Sequence, residues 1–124
     1  MLHDNKLYST TKSLTELSEL MDLKSSQLQQ SFRSSEKFTK KAEWLEEWTN
    51  KTLKDFLAKA KLNLSHLDND DLDKLQKRLD RYKNYFNLLE KEEDCLKRYE
   101  YLFNFLTEVP SQVNLYLESA NKWW

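Results

Sequence analysis

The chain has 124 residues, no glycine and a single proline, Pro110, and its 20 Lys and Arg residues nearly balance 21 Asp and Glu residues. Glycine supplies positive-φ turns and the close backbone approach of phosphate-binding loops, so its absence excludes a glycine-rich nucleotide loop and argues against tightly turned sheets. The net charge of −1 argues against nucleic-acid binding, because that function requires a clear basic excess. We therefore expect an all-α protein built from long helices.

The cysteine content and the hydropathy pattern indicate the cellular compartment of the protein. Cys95 is the only cysteine, so an internal disulfide is impossible. No stretch has the pattern of a secretory signal or of a membrane-spanning helix. These features predict a cytoplasmic protein in a reducing compartment, without a strong membrane signal.

The first predicted helix begins between residues 7 and 13, where Ser13 and Glu16 have the spacing of a capping box. Its apolar residues recur at helical spacing. They are Leu14, Leu17, Met21, Leu28, Phe32, Phe38, Ala42, Leu45, Trp48, Phe56 and Ala60.

Serines at positions 31, 34 and 35 leave two alternatives for this stretch. They cap a new helix, or they lie on the solvated face of one continuous rod. No glycine or proline interrupts residues 7–62, and a serine costs a helix only a few tenths of a kcal/mol. We therefore expect one helix over residues 7–62, about 84 Å long at a rise of about 1.5 Å per residue.

The second predicted helix follows a polar and acidic stretch at residues 63–71. Such residues favour a helix N-terminus, and they make Asp68 or Ser65 the expected cap. The helix is expected to run to about Leu106. Its seam repeats every seven residues at Leu75, Tyr82, Leu89, Leu96 and Phe103.

A second apolar flank of this helix contains Tyr85, Leu88, Cys95, Tyr99, Leu102 and Leu106. A helix with two adjoining apolar faces needs cover from two sides. We therefore expect a bundle of at least three helices with left-handed coiled-coil packing.

A third helix is predicted to start at Pro110, which is tolerated in a first turn. It is too short to cover the second helix, so either the chain is part of a longer protein or a second copy supplies the cover.

We predict a homodimer, most simply antiparallel, in which the N-terminal stripe of one copy lies along the second helix of the other. The residues of that stripe are Leu14, Leu17, Met21 and Leu28.

Three stretches resemble the helices of a spectrin repeat. Residues 38–48 resemble the signature of its first helix, residues 70–106 its second helix with the preceding acidic loop, and residues 113–123 its third helix. The resemblance implies a three-helix bundle over residues 32–124 with an incomplete third helix, and with Trp48 and Trp123 packed in its core. Residues 1–31 would then continue from a preceding segment or exchange in a dimer.

The tryptophans occur in two close pairs, Trp44 with Trp48 and Trp123 with Trp124. Neighbouring residues of a helix point about 100° apart, so one member of each pair is expected at a boundary or interface, where tryptophan is enriched. The full set predicted for the core or an interface is Trp44, Trp48, Leu75, Tyr82, Leu89, Leu96, Phe103, Trp123 and Trp124.

No residue pattern points to catalysis, a cofactor or a metal. The acids of residues 68–71 superficially suggest a calcium loop, but the glycine is missing and Leu79 stands where a bidentate Glu belongs. His3 and His66 are far apart in sequence, and Cys95 has no assignable base. We therefore expect a non-enzyme without catalytic, cofactor-binding or metal-binding residues.

Two functions follow as hypotheses. The spectrin resemblance implies a cytoskeletal scaffold or rod segment that acts as a spacer and self-association surface, as in actin-crosslinking proteins. The alternative is a regulatory or tethering module that binds a partner helix in membrane trafficking, like the N-terminal bundle of a SNARE protein or a BAR domain. Both readings require a protein partner.

Overall fold

The computed structural model describes residues 2–121, which form an all-α structure of four helical rods. Two of its helices are joined end to end through a π-helical turn and make one rod. In chain order the elements are α1 (Leu2–Arg33), a 3-10 turn (Glu36–Phe38), α2 (Thr39–Glu47), the π-helical turn (Trp48–Thr52), α3 (Leu53–Leu64), α4 (Asn69–Leu89) and α5 (Cys95–Asn121). The all-α class is confirmed, and the four rods agree with a bundle of at least three helices. Spectrin-like packing of three helices over residues 32–124 stays a prediction.

The prediction of one continuous helix over residues 7–62 is wrong. Helix α1 ends at Arg33, and Ser35 has an extended backbone with φ −128° and ψ 121°. The reversal brings the rings of Phe32 and Phe38 to 5.2 Å between centroids and leaves Phe32 only 2% exposed. Burying a large aromatic side chain is worth about 1.5–3 kcal/mol, which is larger than the few tenths of a kcal/mol by which each serine changes helix stability.

The start of α4 agrees with the prediction. The Asp68 side chain accepts a hydrogen bond of 2.8 Å from the backbone N–H of Asp71, which makes it the N-cap. This bond satisfies one of the amide groups that a first turn leaves without a helical partner.

The second helix was predicted to reach Leu106, and this is also wrong. Helix α4 ends at Leu89, and α5 begins at Cys95 after a highly charged connection. The Asp94 carboxylate accepts hydrogen bonds of 2.9 Å and 3.4 Å from the backbone N–H groups of Leu96 and Lys97, so it caps α5. The heptad repeat is interrupted at this point, and Leu96 is 38% exposed instead of continuing the seam.

Pro110 does not begin a separate helix, because α5 runs through it without a break. An internal proline costs a helix about 3 kcal/mol. Its neighbours Val109, Val113 and Leu117 are each 1% exposed, and burying each of them contributes about 1.5–3 kcal/mol. Packing therefore outweighs the local penalty.

Helix α1 lies parallel to α4. Polar contacts join residues that are 66 or 67 positions apart along the whole length of the contact, as in Lys6–Asp73, Ser13–Asp80, Glu16–Lys83 and Lys24–Glu90. A constant positive offset requires two helices that run in the same direction. Since Tyr82 meets Phe105 and Asp71 meets Tyr116, α5 is antiparallel to α4.

The N-terminal stripe is covered by its own chain. Leu14, Leu17, Met21 and Leu28 are between 0% and 5% exposed in one continuous core. The open stripe from which the dimer was predicted is therefore absent, because the reversal at Ser35 lays α1 on α4 within a single chain. Dimer formation itself stays a prediction.

Candidate interaction surfaces

The contact between α4 and α5 is built from aromatic rings around Phe105. The ring of Tyr85 stacks on it at 4.9 Å, while Tyr82 and Phe86 meet it edge to face at 5.8 Å and 4.7 Å. Stacked and edge-to-face geometries are the favourable ones for aromatic pairs. We call these four residues the aromatic seam.

The outer edge of the seam opens into a hollow of about 200 Å³ between α4 and α5. Its walls carry two strongly exposed apolar side chains, Leu88 at 62% and Tyr101 at 46%. We call this feature the tyrosine hollow; it is lined by Tyr85, Leu88, Leu89, Glu92 and Tyr101. Apolar side chains exposed next to one another on two helices are typical of a surface that binds a partner.

The tyrosine hollow is neutral at its base and acidic around it. The Tyr85 hydroxyl donates a hydrogen bond of 3.4 Å to the carbonyl of Tyr101. Burial raises the pKa of Tyr85, and Tyr101 and the Glu108 carboxylate raise it further. Tyr85 is therefore un-ionised at neutral pH. Glu92 lines the hollow and the Glu108 carboxylate acts on Tyr85.

A second cavity, of about 120 Å³, lies where α1 meets the connection between α4 and α5. We call it the cationic cavity; it is lined by Lys24, Gln27, Leu28, Ser31, Leu89, Glu90, Arg98 and Leu102. The Lys24 ammonium is 2.6 Å from the Glu90 carboxylate, and the side chains are 15% and 59% exposed. The hydrogen bond from Lys24 holds the pKa of Glu90 below its usual value.

Arg98 is the less satisfied cation of this cavity. Its Nη2 donates to the Glu93 carbonyl at 3.4 Å and contacts the Cys95 Sγ at 3.5 Å. Its Nε is buried and has no hydrogen-bond partner among the described residues.

Most residues predicted for the core are buried or half-buried. Leu75, Trp48 and Leu89 are between 1% and 5% exposed, and Trp48 stands at the start of the π-helical turn. Trp44, Tyr82 and Phe103 are half-buried, with the Trp44 and Phe103 rings 4.6 Å apart. Trp123 and Trp124 lie outside the described residues, so the packing of Trp48 against Trp123 stays a prediction.

The two cavities contain residues that sequence reasoning did not select. Tyr85 and Leu88 belong to the second apolar flank, which was expected to be covered by other helices. Lys24 and Arg98 carry no local signal that separates them from other surface cations. The acidic connection ending in Asp94 was the one available signal, because an Asp before a helical pattern is a typical N-cap.

Residues 2–121 contain neither a metal-binding cluster nor a membrane-spanning helix. Within residues 2–121, no group of three or more His, Cys, Asp and Glu side chains is arranged to hold a metal ion. Over the same residues, no helix combines the length and apolar character needed to span a bilayer.

No protein-family model, curated protein or solved structure matches this chain. The resemblance to spectrin repeats therefore stays a prediction, and function has to be inferred from the surfaces themselves.

Proposed function

We propose that the protein is a non-catalytic helical bundle that binds an amphipathic helix of a partner protein in the tyrosine hollow. The observation that carries this proposal is the exposure of Leu88 and Tyr101, at 62% and 46%, on facing helices around one concave surface. Burying such side chains on binding contributes about 25 cal/mol per Å² of apolar surface. Tyrosine is also among the residues that contribute most at protein interfaces.

A helix is the partner that fits the shape of this site. The groove between two antiparallel helices accepts a third helix, which inserts residues spaced three or four apart. The hollow of about 200 Å³ suits one large apolar anchor such as leucine or phenylalanine.

The charges favour a basic partner. Glu92 lines the hollow and Glu108 acts on Tyr85 from α5. Lysine or arginine residues flanking the apolar anchor would complement these carboxylates, and they would speed association and set its orientation.

The reversal at Ser35 favours this function over the rod. A spacer of about 84 Å was expected from a continuous helix of 1.5 Å rise per residue, and α1 instead folds back along α4. The partner-binding module was the alternative hypothesis from the sequence. A role in membrane trafficking, an association with the cytoskeleton and actin crosslinking stay predictions.

The test uses a designed peptide in which leucines form one helical face and lysines the other. Titration of the isotope-labelled protein should shift the NMR signals of Tyr85, Leu88 and Tyr101 in a saturable manner. Leu88→Glu and Tyr101→Ala should each weaken binding by about tenfold or more, the loss typical of an interface anchor. Leu62→Glu is the matched control, because Leu62 is 73% exposed on α3.

Two comparisons make the result decisive. A peptide with glutamate in place of lysine should bind more weakly, because it faces Glu92 and Glu108. Absence of saturable shifts at the hollow, or equal losses in Leu88→Glu and Leu62→Glu, would overturn the proposal.

A further inference from the structure

The cationic cavity brings together two cations from different helices. Lys24 comes from the middle of α1 and Arg98 from the first turns of α5. Lys24 is paired with Glu90 at 2.6 Å, whereas none of the ion pairs within residues 2–121 includes Arg98. The cavity therefore carries two positive charges and one negative charge, which leaves one positive charge to be balanced.

The guanidinium of Arg98 is the group that calls for an acceptor, because Arg98 lines the cavity and is in none of the ion pairs of the described residues. Arginine pairs its planar guanidinium with carboxylates through two parallel hydrogen bonds. A carboxylate on the cavity side of Arg98 would pair with the guanidinium and neutralise the remaining charge.

The other walls of the cavity are apolar. Leu28, Leu89 and Leu102 come from three different helices and line it together. At about 120 Å³ the cavity is slightly smaller than the cavity of about 150 Å³ that accepts benzene in another protein. The ligand must therefore combine one negative charge with a short hydrocarbon chain.

We propose that the cationic cavity binds a free short-chain monocarboxylate such as butyrate. The carboxylate lies on Arg98, with Lys24 adding a longer-range attraction, and the hydrocarbon chain packs on the three leucines. A phosphate dianion fits less well, because the site offers one net positive charge and an apolar wall. This inference does not depend on partner binding in the tyrosine hollow.

The test is an NMR titration with butyrate, with sodium chloride at the same ionic strength as the control. Butyrate should shift the Arg98 Nε signal and the methyl signals of Leu28 and Leu102 in a saturable manner. Arg98→Gln should weaken binding by about 10- to 100-fold, the factor that corresponds to one hydrogen bond to a charged group. Arg81→Gln should leave the affinity unchanged, because Arg81 is exposed on α4 and does not line this cavity.

Further variants separate binding from folding and from the other proposal. Arg98→Lys keeps the charge without the planar guanidinium, so it should fold and still bind butyrate more weakly. Leu88→Glu should bind butyrate as the parent does even if it has lost the partner peptide. Shifts that do not saturate, shifts reproduced by chloride, equal affinity in Arg98→Gln, or tighter binding of phosphate than of butyrate would each overturn the proposal.

Discussion

Helix α4 meets its two neighbours by different chemistry. Toward α1 it presents Asp73, Gln76, Asp80 and Lys83, which contact Lys6, Thr10, Ser13 and Glu16 at an offset of 66 or 67 positions. Toward α5 it presents the aromatic seam around Phe105. One helix therefore has one side that is rich in specific polar pairs and another that is rich in ring contacts.

The polar pairs bear on the orientation of the helices more than on stability. Partly exposed ion pairs contribute only about 0–1 kcal/mol each, but repeated pairs at one offset are satisfied in only one register. Buried aromatic side chains contribute several times more and are less specific about register. We infer that the polar pairs of the α1 contact help to select the parallel arrangement. The buried leucines of α1 and the aromatic seam both contribute to stability.

The largest effect is expected at the centre of the aromatic seam. Phe105 is 7% exposed and contacts three other rings. Phe105→Ala should lower the free energy of unfolding by about 3–5 kcal/mol, measured by urea denaturation. Phe105→Leu keeps more of the volume and should lose less, whereas a loss below about 1 kcal/mol in the alanine variant would show that the seam is not a stabilising core.

A smaller effect is expected at the other end of the α4–α5 contact. The Tyr116 hydroxyl donates a 3.0 Å hydrogen bond to the carbonyl of Asp71. Tyr116→Phe should therefore lower the free energy of unfolding by about 0.5–1.5 kcal/mol at neutral pH. An unchanged midpoint in urea would indicate that the hydroxyl bonds to water instead.

The same residue predicts a loss of stability at alkaline pH. Burial, and then the Asp71 carboxylate, raise the pKa of Tyr116 from 10.0 to about 12. As pH rises, the unfolded chain therefore loses this proton at a lower pH than the folded protein does. The resulting contribution of Tyr116 to the free energy of unfolding is fully present below pH 10 and falls as pH rises toward about 12. In Tyr116→Phe the decline over this window should be shallower. Other groups with raised pKa values, among them Tyr85, Tyr99 and Lys83, contribute to the decline that remains.

The ion pairs between α1 and α4 should matter less and should depend on salt. Lys83 lies 3.1 Å from Glu16 and 3.3 Å from Asp80, with its side chain 22% exposed. Lys83→Met should lower the free energy of unfolding by up to about 1 kcal/mol at low salt. The loss should be smaller at about 1 M salt, where the screening length is about 3 Å. Lys54→Met, at an exposed position on α3, is the control. An equal, salt-independent loss in both variants would argue against a contribution of these ion pairs to stability.

The smallest effect has the opposite sign. The Ser25 hydroxyl on α1 is fully buried and has no hydrogen-bond partner among the described residues, whereas the Ser18 hydroxyl donates to the Leu14 carbonyl at 2.9 Å. Ser25→Ala should raise the free energy of unfolding by up to about 1 kcal/mol, because it removes an unsatisfied polar group. Ser18→Ala should give no such gain, and a loss in Ser25→Ala equal to that in Ser18→Ala would contradict the assignment.

Local signals in the sequence predicted a substantial part of the fold. The absence of glycine and the helical spacing of leucines indicated an all-α protein, and the acidic stretch before α4 indicated the cap at Asp68. The apolar stripe of α1 was correctly recognised as a surface that must be covered. Each of these features depends on residues close together in the chain, where propensity and capping act.

The tertiary structure alone decided where helices stop and which surfaces meet. Local sequence features change helix stability by at most a few kcal/mol. They are the serines at positions 34 and 35, the charged connection that ends at Asp94, and Pro110. The burial of Phe32, or of the valines around Pro110, contributes as much or more, so the helix ends at the serines and continues through the proline.

The two candidate sites were decided in the same way. Leu88 and Tyr101 share a hollow only because α5 turns back beside α4, and Lys24 and Arg98 share a cavity only because α1 lies parallel to α4. The sequence by itself determined that this protein is made of amphipathic helices with caps at particular residues. Which apolar face is covered and which stays open was decided by packing, because that choice depends on contacts between different helices. The paired residues are 66 or 67 positions apart between α1 and α4, and 16 apart at Tyr85 and Tyr101.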